Sequence, residues 1–153
     1  MHYKIPGLLS LFFVGLSLGV GGVAIFSDSI VWGIVYVLYT VLTFINIMNV
    51  YCRKCPHVTR GDCRHVIIGL MTAKLFTPQK PSAYLVKEYV LSLFPIVLLI
   101  AFPQYSLAQN MYLLVIYWGL IIFGFITIRA GVCRSCQNKH CGFCPNADRD
   151  ILK

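Results

Sequence analysis

Acidic side chains are scarce in this chain. Its 153 residues hold five Asp and Glu against 13 Lys and Arg. None of the five lies deep in an apolar run, which removes the carboxylates that an intramembrane proton or ion path needs. A Gly-rich phosphate loop, a Ser-His-Asp arrangement and a pair of catalytic carboxylates are missing as well, so a hydrolase has little support. The net charge of +8 comes without alternating aromatic and basic residues or a recognised binding fold, so it does not point to nucleic acid. Charged residues make up only 12% of the chain, far from the balance of a soluble domain.

What is present is apolar. Hydrophobic residues account for 58%, and the mean hydropathy is +0.76. Runs at about 5–26, 30–51, 84–102 and 111–129 are long enough, at about 1.5 Å per residue, to cross a hydrocarbon core roughly 30 Å thick. Lys87 and Glu88 interrupt the third run near its start, where a lysine snorkels to the interface. The fold class expected is therefore an all-α integral membrane protein whose four spans form two hairpins. Met1 to Lys4 is a short n-region without a good small-x-small cleavage site after the apolar run, so the first span is expected to be retained.

The basic residues give an orientation. All 13 fall at the N-terminus, between the second and third spans, at the foot of the third, or at and beyond the fourth. The loops around Ser27 to Ser29 and Pro103 to Asn110 contain none. The positive-inside rule then places both termini in the cytoplasm of a multi-pass inner or cytoplasmic membrane protein, with anionic lipid as the partner of the positive flank. All seven cysteines share that side, where a reducing compartment disfavours disulfides and favours metal binding.

The cysteines repeat. Cys52, Cys55 and Cys63 have the spacing C-x2-C-x7-C, and so do Cys133, Cys136 and Cys144. Tyr-Cys-Arg-Lys-Cys at 51–55 answers Val-Cys-Arg-Ser-Cys at 132–136, so residues 5–66 and 84–145 read as a pseudo-repeat about an axis along the membrane normal. The second copy, within a cysteine-rich segment at 132–145, adds Cys141; the first has His57 and His65 nearby. Two sites are expected, one of three cysteines with His57 or His65 and one of four cysteines. A C-x2-C turn brings two thiolates to one metal while backbone N–H groups point at the sulfurs. Inert packing is the competing reading, but Arg, Lys, Asn and Asp are poor company for it. His140 is expected beside the site rather than in it, and His2 at the surface. Arg53, Lys54, Arg60, Arg64, Arg134 and Lys139 interleave with the thiols and are expected to offset their charge.

The metal stays open between zinc and an iron–sulfur cluster. Only four residues separate Cys136 from Cys141, against about twelve or more between ordinary zinc pairs, and the run is not the regular ferredoxin one either. Cys55-Pro56 and Cys144-Pro145 favour a cluster. Two pairs of membrane helices, each ending in a paired-cysteine-proline motif, resemble the membrane part of the quinol-dehydrogenase (polyferredoxin-type) proteins of nitrate and nitrous oxide respiration. Cys52, Cys55 and Pro56 carry the resemblance in the first half, and Cys141, Cys144 and Pro145 in the second. It implies electron movement between the quinone pool and redox partners. This chain has two residues between paired cysteines where that family has three, and it lacks the ferredoxin-like segments.

Remaining polar residues have plainer candidates for their roles. Asn46 and Asn49, near the end of the second span, are placed either to meet a quinone head group or to serve as interhelical glue. Pro95 frees a backbone carbonyl in the third span. Gly15, Ser17, Gly19, Gly21 and Gly22 form a small-residue stripe for close helix packing, within the chain or with a partner. Residues 66–76 are expected to lie as a short interfacial helix, and Tyr3, Tyr51, Tyr84, Tyr105, Tyr112 and Trp118 as an aromatic belt. The function read from all this is a small membrane subunit that passes electrons between a quinone or larger membrane complex and a redox protein. A zinc-stabilised scaffold or assembly subunit is the alternative, and metal-ion capture or transport a third.

Overall fold

A computed structural model describes residues 5–60, 63, 66–80, 82–136, 138 and 141. Among these the chain is helical without a strand: α1 Ile5–Asp28, α2 Ile30–Val50, α3 Pro56–Arg60, α4 Val66–Leu75, α5 Val86–Ala101, α6 Gln104–Ala108 and α7 Met111–Ile126. Four helical stretches, Ile5–Asp28, Ile30–Lys54, Val86–Ala108 and Met111–Val132, are long and apolar enough to cross a membrane. Large apolar side chains such as Phe12, Trp32, Leu42, Val97 and Phe125 stand on the outside. A hydrocarbon surround is the medium in which such a surface is at rest.

The first hairpin turns on a single residue. Ser29 is extended (φ −159°, ψ 124°) between α1 and α2, its N–H donating to the Ile25 carbonyl at 2.8 Å and its carbonyl accepting from Gly33 at 3.0 Å. So short a turn presses the Phe26 ring onto Gly33, where a Cβ would clash with the ring. The third span begins later than the apolar run suggests, because Leu85 is extended (φ −78°, ψ 154°) and its N–H is held by the Glu88 carboxylate at 2.9 Å. Beyond Phe102 and Pro103 the expected loop coils into α6, and Asn110 then caps α7 by accepting from the Tyr112 and Leu113 amides. At its far end α7 widens into a π turn, Thr127–Val132, with the Thr127 hydroxyl 2.8 Å from both the Phe123 and the Gly124 carbonyl.

Packing follows from small residues, though not all of those the sequence points to. The buried face of α1 includes Ser10, Ser17, Gly21 and Ala24. A Cβ on Gly21 would lie 3.1 Å from the Tyr36 hydroxyl and 3.2 Å from both Pro103 and Tyr117. Gly15 and Gly19, by contrast, face open space, so the internal contact runs along the next strip of the same helix. Helix α1 packs on α2 and α7, and α2 packs on α5. Exchanging the two halves sends α1 to α5 and α2 to α7, so the α1/α7 and α2/α5 pairs are counterparts.

Two apolar clusters, one around Ala24, Leu107 and Tyr117 and the other around Ile25, Tyr36 and Leu99, hold the end of the bundle away from the cysteines. Between the ends, α2 and α5 are joined by polar bonds. Pro95 has no N–H for the Leu91 carbonyl, and Asn46 Nδ2 supplies the missing donor at 2.7 Å. One turn along, the Tyr39 hydroxyl donates to the Pro95 carbonyl at 3.2 Å. Replacing Asn46 with Leu should cost about 1 kcal/mol in denaturant unfolding from detergent. In a Pro95→Ala background, where the Leu91 carbonyl regains a helical donor, the same replacement should cost measurably less; equal costs in the two backgrounds would sever the link between Asn46 and the proline.

Candidate metal-thiolate site

Two Cys-x2-Cys sequences, at 52–55 and 133–136, form the same turn. Cys52–Lys54 and Cys133–Ser135 are single turns of 3-10 helix, each following directly on the end of a spanning helix. The Cys55 amide donates to the Cys52 carbonyl at 3.0 Å, and the Cys136 amide to the Cys133 carbonyl at 3.1 Å. Both second cysteines then open into extended backbone, Cys55 at φ −73°, ψ 123° and Cys136 at φ −77°, ψ 132°. The His57 backbone N–H bonds the Cys55 sulfur, the amide-to-sulfur contact expected of a ligand turn.

The surroundings hold the first turn from several sides. Lys54 pairs with Glu88, the residue that also caps α5. Arg53 donates to Asn49 Oδ1 at 2.6 Å and to the Thr77 carbonyl at 3.1 Å, lies over the Phe76 ring, and accepts from the Gln79 amide through its own carbonyl. These two cations are thus engaged in tying the segment after α4 and the foot of α5 to the turn. Helix α4 forms where a short helix is expected and contributes Thr72, whose hydroxyl bonds Cys52. It also contributes Gly69, where a Cβ would meet Cys63 Cβ at 2.5 Å and Sγ at 2.8 Å.

The halves meet here. The Tyr51 hydroxyl lies 2.7 Å from Cys141 Sγ, and Asn138 Nδ2 reaches to 3.8 Å from Cys55 Sγ. Tyr84 is buried with Cys141 in a cluster that takes in Tyr51, Tyr89, Cys133 and Cys136. The rings of Tyr51 and Tyr84 stack at 4.3 Å, and the Tyr84 hydroxyl donates to the Tyr51 carbonyl at 3.0 Å. Tyr105 and Tyr112 are exposed as a belt requires, but Tyr84 is a core residue of the cysteine end, because it fills the space between the two turns.

Burial sets the electrostatics. It pushes the Cys55 thiol up to about 12, against the His57 amide that lowers it and with the nearby Cys63, Cys136 and Cys52 adding to the rise. The Tyr84 phenol is raised well above its usual range by burial and then by Cys55 and Cys141. The six described cysteines are reduced. Among the described residues no three His, Cys, Asp or Glu side chains converge where an ion would sit. His57 lies half-buried in α3, whereas His65 and Cys144, candidates for the first and second sites, lie outside the described residues. The donor chemistry of the turns fits a thiophilic metal.

Comparison with protein families, curated proteins and solved structures gives no match. The site is therefore read from its own residues. Asn46 and Asn49 stand on α2 above it, their described bonds going to the Leu91 carbonyl and to Arg53. At the opposite end of the bundle a cleft of about 270 Å³ is lined by Ile25, Asp28, Trp32, Phe102, Tyr105 and Ser106. Sequence reasoning missed Thr72, Gly69 and Asn138 at the cysteine end; only the position of Asn138 between Cys136 and Cys141 hinted at a role.

Replacing Gly69 with Ala should expose Cys63 to alkylation while leaving helical content by circular dichroism unchanged; unaltered Cys63 labelling would show that the close contact is not kept in solution. In metal-free reduced protein at about pH 8, Cys55 should alkylate at least about tenfold more slowly than an ordinary thiol, because a raised pKa lowers the thiolate fraction at that pH. Residue-resolved mass spectrometry would read both outcomes, and Cys55 labelling should continue to climb above about pH 10, where an ordinary thiol has levelled off.

Proposed function

We propose that this chain is a small membrane subunit that binds an iron–sulfur or similar metal centre at its cytoplasmic face and passes electrons between a quinone or membrane partner and a redox protein. The observation that carries this reading is the repeated turn: two Cys-x2-Cys segments of the same conformation, one at the end of each hairpin, with side chains of one half touching sulfurs and tyrosines of the other. The cytoplasmic assignment rests on the basic residues that cluster with the cysteines.

Bound there, such a centre supplies one-electron chemistry at a membrane surface. The chain's own residues do the rest. Cys52, Cys55, Cys133 and Cys136 are the ligands proposed first, on the matching backbone of their two turns, with Cys63, Cys141, Cys144, His57 and His65 as further candidates. Tyr51, Tyr84 and Tyr89 pack one flank and limit water there. The Asn138 amide and the His57 N–H stabilise negative charge on Cys55, a device that raises the potential of a thiolate-bound centre. The exposed Arg134 gives an acidic carrier a place to dock.

A second reading, a zinc-stabilised scaffold, is favoured by the asparagines. Their described bonds serve helix packing and the Arg53 strap, which is the behaviour of a structural bundle rather than of a quinone pocket. Elemental analysis with optical and paramagnetic resonance spectra on anaerobically purified protein separates the two. Iron with acid-labile sulfide and a band near about 400 nm that bleaches on reduction is the expected result. Zinc without iron, and a colourless protein, would replace the redox reading with the scaffold.

A further inference from the structure

The end of the bundle away from the cysteines has a polar centre of its own. Helix α1 stops at Asp28 and the chain turns on Ser29 alone, while the second hairpin leaves α5 at Phe102 and coils into the short α6. The cleft at this end draws Ile25, Asp28 and Trp32 from the first tip and Phe102, Tyr105 and Ser106 from the second. Three of the six are aromatic. The Trp32 and Phe102 rings stand edge to face, 6.1 Å apart at 60°, and the Tyr36 ring holds Phe102 from within the bundle at 5.6 Å.

Charge singles out Asp28. The tip loops, Ser27 to Ser29 and Pro103 to Asn110, carry no Lys or Arg, and among the described residues Asp28 enters no ion pair. Gln109 Nε2 approaches its Oδ2 at 3.5 Å, a neutral donor at the limit of hydrogen bonding that leaves the charge uncompensated. An interfacial belt of Trp and Tyr needs no carboxylate, and a charge at a bilayer edge is costly without a partner. The faces of the surrounding rings are negative as well. Carboxylate and rings together ask for a cation with an apolar skirt.

We propose that this cleft binds an organic ammonium group, the cation carried by the headgroup of a zwitterionic lipid. Asp28 meets its charge, and the Trp32, Phe102 and Tyr105 rings take its cationic and alkyl faces by cation–π contact. Ser106 offers a hydroxyl to an oxygen of the same headgroup. A cleft of about 270 Å³ suits a headgroup better than a larger ligand, and Phe26 and Ile30, on either side of Asp28 in the chain, are exposed where acyl chains would lie. An anionic headgroup brings a second negative charge beside Asp28 with no basic residue in the tip loops to offset it. The basic flank at the cysteine end has the opposite preference, so the two ends of the bundle select lipid heads of different charge.

The test uses the full chain in maltoside detergent, with Trp118→Phe leaving Trp32 as the one tryptophan. Trp32 emission is titrated with dioctanoyl phosphatidylethanolamine, phosphatidylcholine and phosphatidylglycerol, and with ethanolamine and choline in solution. A saturable change with the two zwitterionic lipids and none with phosphatidylglycerol is expected. Asp28→Asn should weaken that binding about tenfold and Asp28→Glu should keep most of it, both at unchanged helical content by circular dichroism. Tyr105→Leu should weaken it and Tyr105→Phe should not. Half-saturation by the lipids at least about tenfold below ethanolamine and choline assigns the ammonium to a lipid; equal concentrations keep the site and assign it a soluble amine. An equal response to phosphatidylglycerol, an unchanged affinity in Asp28→Asn, or no saturable change with any of the ammonium compounds would overturn the proposal.

Discussion

The Tyr84 hydroxyl donates to the Tyr51 carbonyl, and the two rings stack; the cysteine end of the molecule hangs on this join. A helix end leaves carbonyls without intrahelical donors, and at a bilayer surface there is less water to take them. Tyr51 closes α2 and immediately precedes Cys52, so the bond that satisfies its carbonyl also fixes where the first turn begins. Tyr84 stands just ahead of α5, so the same bond brings the third span to the second. The Tyr51 hydroxyl then reaches Cys141. Two aromatic residues thereby connect three separate parts of the chain at the place where the thiols collect.

The same rule governs the apolar interior. Pro95 releases the Leu91 carbonyl and Asn46 takes it up; Tyr39 bonds the Pro95 carbonyl, and both Tyr117 and Gln104 bond that of Ile100. In hydrocarbon a backbone acceptor without a donor costs several kcal/mol, so these side chains serve the backbone, whereas the buried hydroxyls of Tyr36, Thr43 and Ser92 make no hydrogen bond among the described residues. The thiols and most of the basic residues gather beyond the last apolar turns.

The spans were legible because each is a long run with its charges at the margins, a signal that depends on local composition alone. The turns were legible for a similar reason: a C-x2-C spacing is a local constraint, and the two copies fold alike. Relations between distant segments were not. Gly15 and Gly19 have the spacing of a packing motif, yet Gly21 makes the close contact, because which strip of α1 faces inward is decided by Tyr36, Pro103 and Tyr117. Tyr84 has the position of a belt residue and is buried by Cys141, some sixty positions further along the chain. Arg53 lies between two thiols in sequence but finds Thr77 and Asn49 nearer to hand. In each case the side chain's partner comes from another element, and one-dimensional spacing carries no information about it.

Meeting of the halves also bears on the order in which the site is completed. The first hairpin inserts with Cys52 and Cys55 at its end, but Tyr84 arrives with the third span, and Cys136, Asn138 and Cys141 only after the fourth. Until then the first turn lacks Tyr84 and Asn138, two of the neighbours that pack on it. Burial pushes the Cys55 thiol up, with Cys63 of its own half and Cys136 of the other adding to the rise, and a protonated thiol resists oxidation. The tyrosine-packed interface therefore acts on both at once: it shelters the thiols from water, and it fixes the backbone on which the first turn stands.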